Sequence, residues 1–520
     1  MTSGSMTRTT PGHPRVARVL TALAVVFAIG GTMSVEVDGQ DPGTARAIPA
    51  AVDTPPGYDR AVERGWRSLD GSPGHGYWQN GVSYEMSARL DPETAKLEGT
   101  ARILYAHDAP ANLPVVWLNL HQNLHKEGSP RYESQEITGG ITIRSLSADG
   151  EELEERELAE GPGWGVDGSL MQVRPTIRLE PGDTLQLDIE WEVTLPQRGA
   201  GRMGHSDHEV YLVAYWFPKM TVFDNVRGWA ARQYMGNAEF YDEFGDYQVD
   251  LTVPAGWTVM ATGELTNPQE VFSPITLERL AEASGSDEGV MIADRASRDA
   301  GTVTTEGQDG WLTYRFQARN VRDFTWTTSN VQSWNATSAL VVDPEPAPVE
   351  VSDDDDDDED EQDRPSAGTP AVVFPAGERR VTIHSFWRED RAPLWSEQWL
   401  YAKQSIEHHS EYTGFNYPWP HMTSVEGADI IEGGMEFPMM TVIGAYDDGA
   451  QDTDLFNVTS HEIGHMWIPM IVGTDESRHA WMDEGSTTFL EDESKMALWP
   501  GVDHHRVEAR TYLQAANAEV

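Results

Sequence analysis

The 520-residue sequence predicts an α+β protein: an N-terminal antiparallel β-sheet region, saddle- or sandwich-like, followed by a mainly helical region. Three observations carry this expectation. Short segments with apolar residues at every second position dominate from Tyr84 onward. Turn residues separate them. From about residue 392 the apolar spacing becomes helical, with Trp395, Trp399, Leu400 and Ile406 inside 394–412.

In chain order, the first element reads as an export signal. Arg8, Arg15 and Arg18 precede an apolar run at 19–29, and Ala45-Arg46-Ala47 offers a cleavage site. Residues 1–47 are therefore expected to be a signal peptide or N-terminal anchor. The protein is expected to be exported to the periplasm or beyond, or anchored there by an uncleaved segment. The run is too short to span a bilayer comfortably, so no stable membrane span is expected. Residues 48–75, rich in Pro, Gly and charge, read as a linker. Residues 76–391 are the β-rich region, with strands expected at 84–90, 99–105, 114–120, 184–193, 247–253 and 379–387. Alternation is cleanest at 184–193, where Leu185, Leu187, Ile189, Trp191 and Val193 share one face. Asp91-Pro92-Glu93 reads as a turn, and 276–300 as one helix with a polar loop.

Residues 344–378 break the pattern. Pro-rich flanks enclose six aspartates at 353–358, then Glu359, Asp360 and Glu361. Like charges this dense repel one another, which predicts a disordered, solvated insertion between two strands. A cation site is the alternative, but calcium loops space their carboxylates around a Gly turn, and this run has none. Residues 392–520 form the helical region, with further helices at 455–472, where Pro469 is expected to kink the helix, and at 481–498.

Composition narrows the function. Hydrophobic residues make up 39%, enough for real cores. The net charge of -48 repels nucleic acid and anionic membranes, so neither is an expected partner. The chain has no cysteine, which excludes disulfides and thiolate metal sites.

The chemistry concentrates at 461–465, His-Glu-Ile-Gly-His. On a helix, positions i and i+4 share a face, so His461 and His465 can converge on one ion. Glu462 is offset by about 100°. It is free to act as general base on a water that zinc has made acidic. Catalytic zinc needs a third protein ligand and an open position, and Glu484 supplies the third in Trp481-Met482-Asp483-Glu484-Gly485. One Zn2+ per chain is expected. The adjacent pairs His408-His409 and His504-His505 read as surface residues.

At this point the sequence resembles the M1 family of zinc aminopeptidases, a gluzincin group with a bacterial branch. His461-Glu462-x-x-His465, then eighteen residues, then Glu484, is similar to that family's zinc signature. Gly433-Gly434-Met435-Glu436 resembles its exopeptidase motif, with Phe437 where the family has Asn. Trp216-Phe217-Pro218-Lys219, Gly245-Asp246-Tyr247 and Asp323-Phe324-Thr325-Trp326 resemble its β-domain, and Tyr417-Pro418-Trp419-Pro420 the opening of its catalytic domain. The resemblance implies an N-terminal β-saddle and a thermolysin-like catalytic domain that is incomplete here. It implies that Glu436 binds the α-amino group of peptide substrates and that Gly433, Gly434 and Met435 line the cleft as an edge strand. The chain ends 55 residues after His465, so the family's oxyanion tyrosine and C-terminal helical domain are expected beyond its end. Tyr512 reads as core or surface. The resulting expectation is a zinc-dependent aminopeptidase. The alternative is a catalytically impaired, zinc-containing homologue that binds peptides.

Overall fold

Alternation along the chain becomes sheet in space. In the computed structural model, which describes residues 54–157, 161–236, 238–343, 376–446 and 452–517, strand Thr184–Thr194 buries Leu185, Leu187, Ile189, Trp191 and Val193. It is flanked by Lys96–Ala106 and Ile141–Ala148, both antiparallel to it. The strand Gly81–Asp91 follows, then Gly245–Pro254 and Trp311–Val321, within a sheet of eight strands. Within this sheet one pairing departs from the expected antiparallel pattern: Gly81–Asp91 runs parallel to Gly245–Pro254. The long excursion between them in sequence permits this, since a parallel pair cannot be joined by a tight hairpin.

Gly99 shows why residue identity matters inside a strand. It lies opposite Trp191, and a Cβ at 99 would sit 2.5 Å from the indole. With no side chain there, Trp191 lies flat and donates its Nε1–H to the Trp216 carbonyl at 3.0 Å. Each fully buried side chain of this kind stabilises the fold by roughly 1.5–3 kcal/mol. Two four-stranded sheets add their buried faces to the same core; one contains Val210–Val213 and Trp326–Ser329, the other Val116–Asn119 and Leu170–Arg174. Lys219, almost fully buried, is held between Asp242 at 2.7 Å and Asp323 at 3.1 Å.

The second large sheet has six strands, in the order Val290–Ala293, Ser333–Asp343, Gly377–Trp387, His421–Glu426, Met440–Ile443, Gly434–Phe437. Its middle strand His421–Glu426 is buried at every position. Helix Gln398–Thr413 packs on this sheet and on helix Asp452–Gly464, which in turn contacts the edge strand Gly434–Phe437. Gly414 ends the first of these helices with φ 69°, a conformation that favours glycine. Two further helices, Glu476–Leu498 and His504–Asn517, complete the C-terminal region.

Several expectations are corrected. Strands on both sides of residue 391 share the six-stranded sheet, so a boundary at 391/392 would cut through it; the described residues from Pro55 onward pack as one unit. The expected linker at 48–75 contains helix Pro56–Glu63 and a bridge between Arg67 and Pro73, with Arg67 bonded to Asn225. Pro at the first helical position is a start signal rather than a breaker. The polar loop expected within 276–300 holds strand Val290–Ala293 and helix Arg295–Asp299. The helix expected over 455–472 ends at Gly464, so Pro469 lies beyond it rather than kinking it. His409 is fully buried, with Nε2 3.0 Å from the Ser460 carbonyl, not at the surface. Tyr512 is exposed. The expected signal segment, and the acidic insertion up to residue 375, lie outside the described residues; Gly377 already opens a strand. Among the described residues, no helix is long and apolar enough to cross a membrane.

Candidate metal and peptide site

The helix Asp452–Gly464 presents His461 at its last turn, and the His465 N–H still bonds the His461 carbonyl, so helical spacing holds across the pair. Helix Glu476–Leu498 crosses in front and brings Glu484 between them. Glu484 Oε2 lies 3.0 Å from His461 Nε2 and 3.8 Å from His465 Nε2. Tetrahedral zinc donors about 2.1 Å from the ion are roughly 3.4 Å apart, so these separations bracket the required value. The three sequence-derived residues therefore form a set able to hold a divalent cation, with ligand atoms all within 4.8 Å of one another.

The far sides of both imidazoles are held. His461 Nδ1 lies 3.1 Å from Glu491 Oε2. His465 Nδ1 lies 2.7 Å from Asp483 Oδ1, an ion-pair contact, and 3.1 Å from the Thr487 hydroxyl. Partners on Nδ1 leave each Nε2, on the Glu484 side, as the nitrogen available to a metal ion. Sequence reading did not assign Asp483, Thr487 and Glu491. The last carried a usable signal: it stands seven residues, two turns, beyond Glu484.

The electrostatics call for positive charge here. Burial works against protonating His461, but hydrogen bonds to Glu484 and Glu491 outweigh it and raise the group to about 9. His465 is likewise raised, its burial outweighed by Glu436 and Asp483. A proton thus occupies, in the metal-free chain, the place that the donor set suits to a metal ion. Two imidazoles and a carboxylate, without any thiolate, suit zinc in a catalytic rather than a structural site.

Glu462 is buried, and its Oε2 accepts no hydrogen bond among the described residues. Burial pushes it up to about 7, opposed by the two histidines. A carboxylate of this kind is suited to taking a proton near neutral pH. Gly434 lies directly against it: a Cβ at 434 would overlap the Glu462 carboxylate and sit 2.6 Å from its Cγ.

The edge strand Gly434–Phe437 alternates its two faces. Gly434 and Glu436 turn towards the histidine helix, while Met435 and Phe437 are buried on the other face. Phe437 packs against Tyr215 with ring centroids 5.7 Å apart, so the residue that departs from the family motif lies on the core side. Gly433 precedes the strand and accepts the Gly444 N–H at 2.8 Å.

Glu436 is 5% exposed, and its ligand atom lies within 4.8 Å of those of His465 and Asp483. Burial raises it well above the usual carboxylate range, with Glu239, Glu462 and Asp483 adding to the shift and His465 opposing it. Its carboxylate clusters with those of Glu239 and Glu476 within 4.8 Å. Arg202 pairs with Glu239 at 2.5 Å and touches the Met435 sulfur. Arg322 and the Phe240 N–H hold Glu476. Glu239 and Arg202 come from the β-rich region, far away in sequence, and no local pattern marks them.

Residues 400–519 match the model for the peptidase family M1 domain. Among solved structures, the M1 zinc metallopeptidase of Deinococcus radiodurans is similar at 13% identity, covering 85% of this chain and 76% of its own, with TM-score 0.47. A variant of it bound to a Tyr-Ser-Ala substrate gives 13% identity, 86% and 77% coverage and TM-score 0.45. The His–His–Glu donor set lies inside the matched segment, so residues 400–519 carry a peptidase family M1 domain.

Proposed function

We propose that this chain is an exported aminopeptidase that removes N-terminal residues from peptides. In this reading one zinc ion per chain is held by His461, His465 and Glu484, and Glu462 is the general base. The observation that carries the exopeptidase reading is Glu436: a mostly buried carboxylate whose ligand atom lies within 4.8 Å of those of Glu239 and of His465 in the metal set. Burial and the neighbouring carboxylates disfavour charge on Glu436, and a peptide's α-ammonium group is the complement that would stabilise it. Gly434 and Met435 lie on an outermost strand, whose free edge can pair with substrate backbone. Zinc, when bound, supplies Lewis-acid polarisation of the scissile carbonyl and of the attacking water. The Glu462 carboxylate takes the proton from that water and passes it to the departing amine. Glu436 and Glu239 fix the N-terminus, which limits cleavage to the first peptide bond.

Glu436→Ala tests the reading. The KM for peptides with a free N-terminus should rise roughly 10–100-fold, the loss of one hydrogen bond to a charged group. N-acetylated peptides should be unaffected. Equal losses for both would refute the assignment, and zinc and peptide binding without turnover would favour the binding-protein alternative. Export rests on the basic and apolar pattern at 8–29 and is tested by N-terminal sequencing of the mature protein. An intact Met1 would rule out cleavage.

A further inference from the structure

Lysine is scarce in this chain: only five occur in 520 residues, at 96, 126, 219, 403 and 495. Lys495 is 7% exposed, on the helix that carries Glu484. Its ammonium group lies 2.8 Å from Glu491 Oε1 and 2.8 Å from Asp492 Oδ1. Spacings of four and three residues put all three side chains on one helical face. The other oxygen of Glu491 faces His461 Nδ1 at 3.1 Å. The other oxygen of Asp492 lies 3.3 Å from His505 Nδ1 on helix His504–Asn517, and His505 Nε2 is 2.7 Å from Glu493 Oε1. A continuous chain of polar contacts thus runs from His461 to the terminal helix, with Lys495 as its only permanent cation.

The position of the lysine matters for two reasons. Glu491 and Asp492 are adjacent, mostly buried carboxylates, and without a cation between them they would repel each other. Glu491 also determines which nitrogen of His461 carries the proton. With Nδ1–H donated to Glu491, Nε2 is the nitrogen that can offer its lone pair to a metal ion in place of the proton it shares with Glu484. A carboxylate free to rotate would fix neither the tautomer nor the ring plane.

On the reading that His461 is a zinc ligand, we propose that Lys495 is a positioning residue for the metal centre. It locks the Glu491 carboxylate that orients His461, and so sets zinc affinity without touching the ion. Loss of such an outer partner typically weakens metal binding by about 10–100-fold.

The test is the zinc Kd of the full chain, measured by competition with a chelator for the parent, Lys495→Met, Glu491→Gln and the double variant. Lys495→Met should weaken zinc by about 10–100-fold. The double variant should be no worse than Glu491→Gln alone, because the lysine acts through the glutamate. Melting temperatures of the metal-free proteins separate this from a packing role, which would lower stability and leave the Kd unchanged. Lys403→Met, which removes an ion pair with Asp287 elsewhere, should leave the Kd at the parent value. If Lys495→Met alone does not fold, the double variant still decides, since it leaves no unpaired carboxylate at 491. A Kd in the double variant tenfold weaker than in Glu491→Gln overturns the proposal. So does an unchanged Kd in a folded Lys495→Met. A parent that binds no zinc overturns the zinc reading together with this one.

Discussion

Gly434→Ala is the most direct probe of how the edge strand and the proposed base fit together. The added methyl carbon would stand 2.6 Å from Glu462 Cγ and closer still to its carboxylate, where ordinary contact begins near 3.4 Å. The strand cannot easily yield. Gly434 is paired with Ile443, the Gly444 N–H is bonded to Gly433, and Phe437 is buried in the core. The Glu462 side chain must therefore move by about 1 Å, a misplacement that can cost roughly 100-fold in rate. The three atoms nearest to the methyl group all belong to Glu462, none to a metal donor. Turnover of an unblocked peptide should fall by about 30–100-fold while zinc content and melting temperature stay near the parent values. Turnover within about threefold of the parent, at full zinc loading, would refute the contact as described.

Other expectations follow from the same geometry. Glu462→Gln keeps the shape and removes the basicity, so it should retain zinc and peptide while turnover drops at least ~100-fold; near-parent rates would exclude Glu462 as base. His461→Ala and His465→Ala should each lose the bound zinc, read by metal analysis, and full retention in the double substitution would dismiss the donor set. Burial beside Asp224 and Asp242 pushes Glu243 up to about 8 from an ordinary value of 4.5. The folded chain therefore holds a proton there that the unfolded chain has already released. The contribution to stability is full below about pH 4.5 and is lost as pH rises through about 8. The melting temperature of the parent should fall more steeply between pH 6 and 9 than that of Glu243→Gln, and parallel curves would contradict the assignment.

What the sequence revealed, and what it hid, follows from the range of each interaction. Strands with one wet face alternate, and Gly81–Asp91, Lys96–Ala106, Thr184–Thr194 and Gly245–Pro254 were legible for that reason. His421–Glu426 is buried on both faces, has no alternation to read, and went unassigned. The pair His461 and His465 was legible because four residues make one helical turn, and Glu484 because its surrounding tract resembles a known one. Asp483 and Glu491 sit on the same helix as Glu484, within reach of a helical-wheel argument. Glu239, Arg202 and Arg322 meet the site only through tertiary contacts, and nothing local marks them. The boundary at 391 was misplaced because the change from strand to helix patterning falls inside one sheet, not between two domains.

The pairing of Ser333–Asp343 with Gly377–Trp387 has an engineering consequence. Asp343 and Gly377 are register partners at the mouth of a ladder eleven residues long. The chain therefore departs and returns at neighbouring points, whatever its length in between. Such a port tolerates cargo, because lengthening a loop adds closure entropy only logarithmically. A guest domain whose own termini lie close together could be spliced between 343 and 377. The same port allows the polypeptide to be made as two pieces. One piece would bring Arg202, Glu239 and Arg322, and the other His461, His465 and Glu484. The ladder would be the seam on which they rejoin, and peptidase activity would report when the seam has closed.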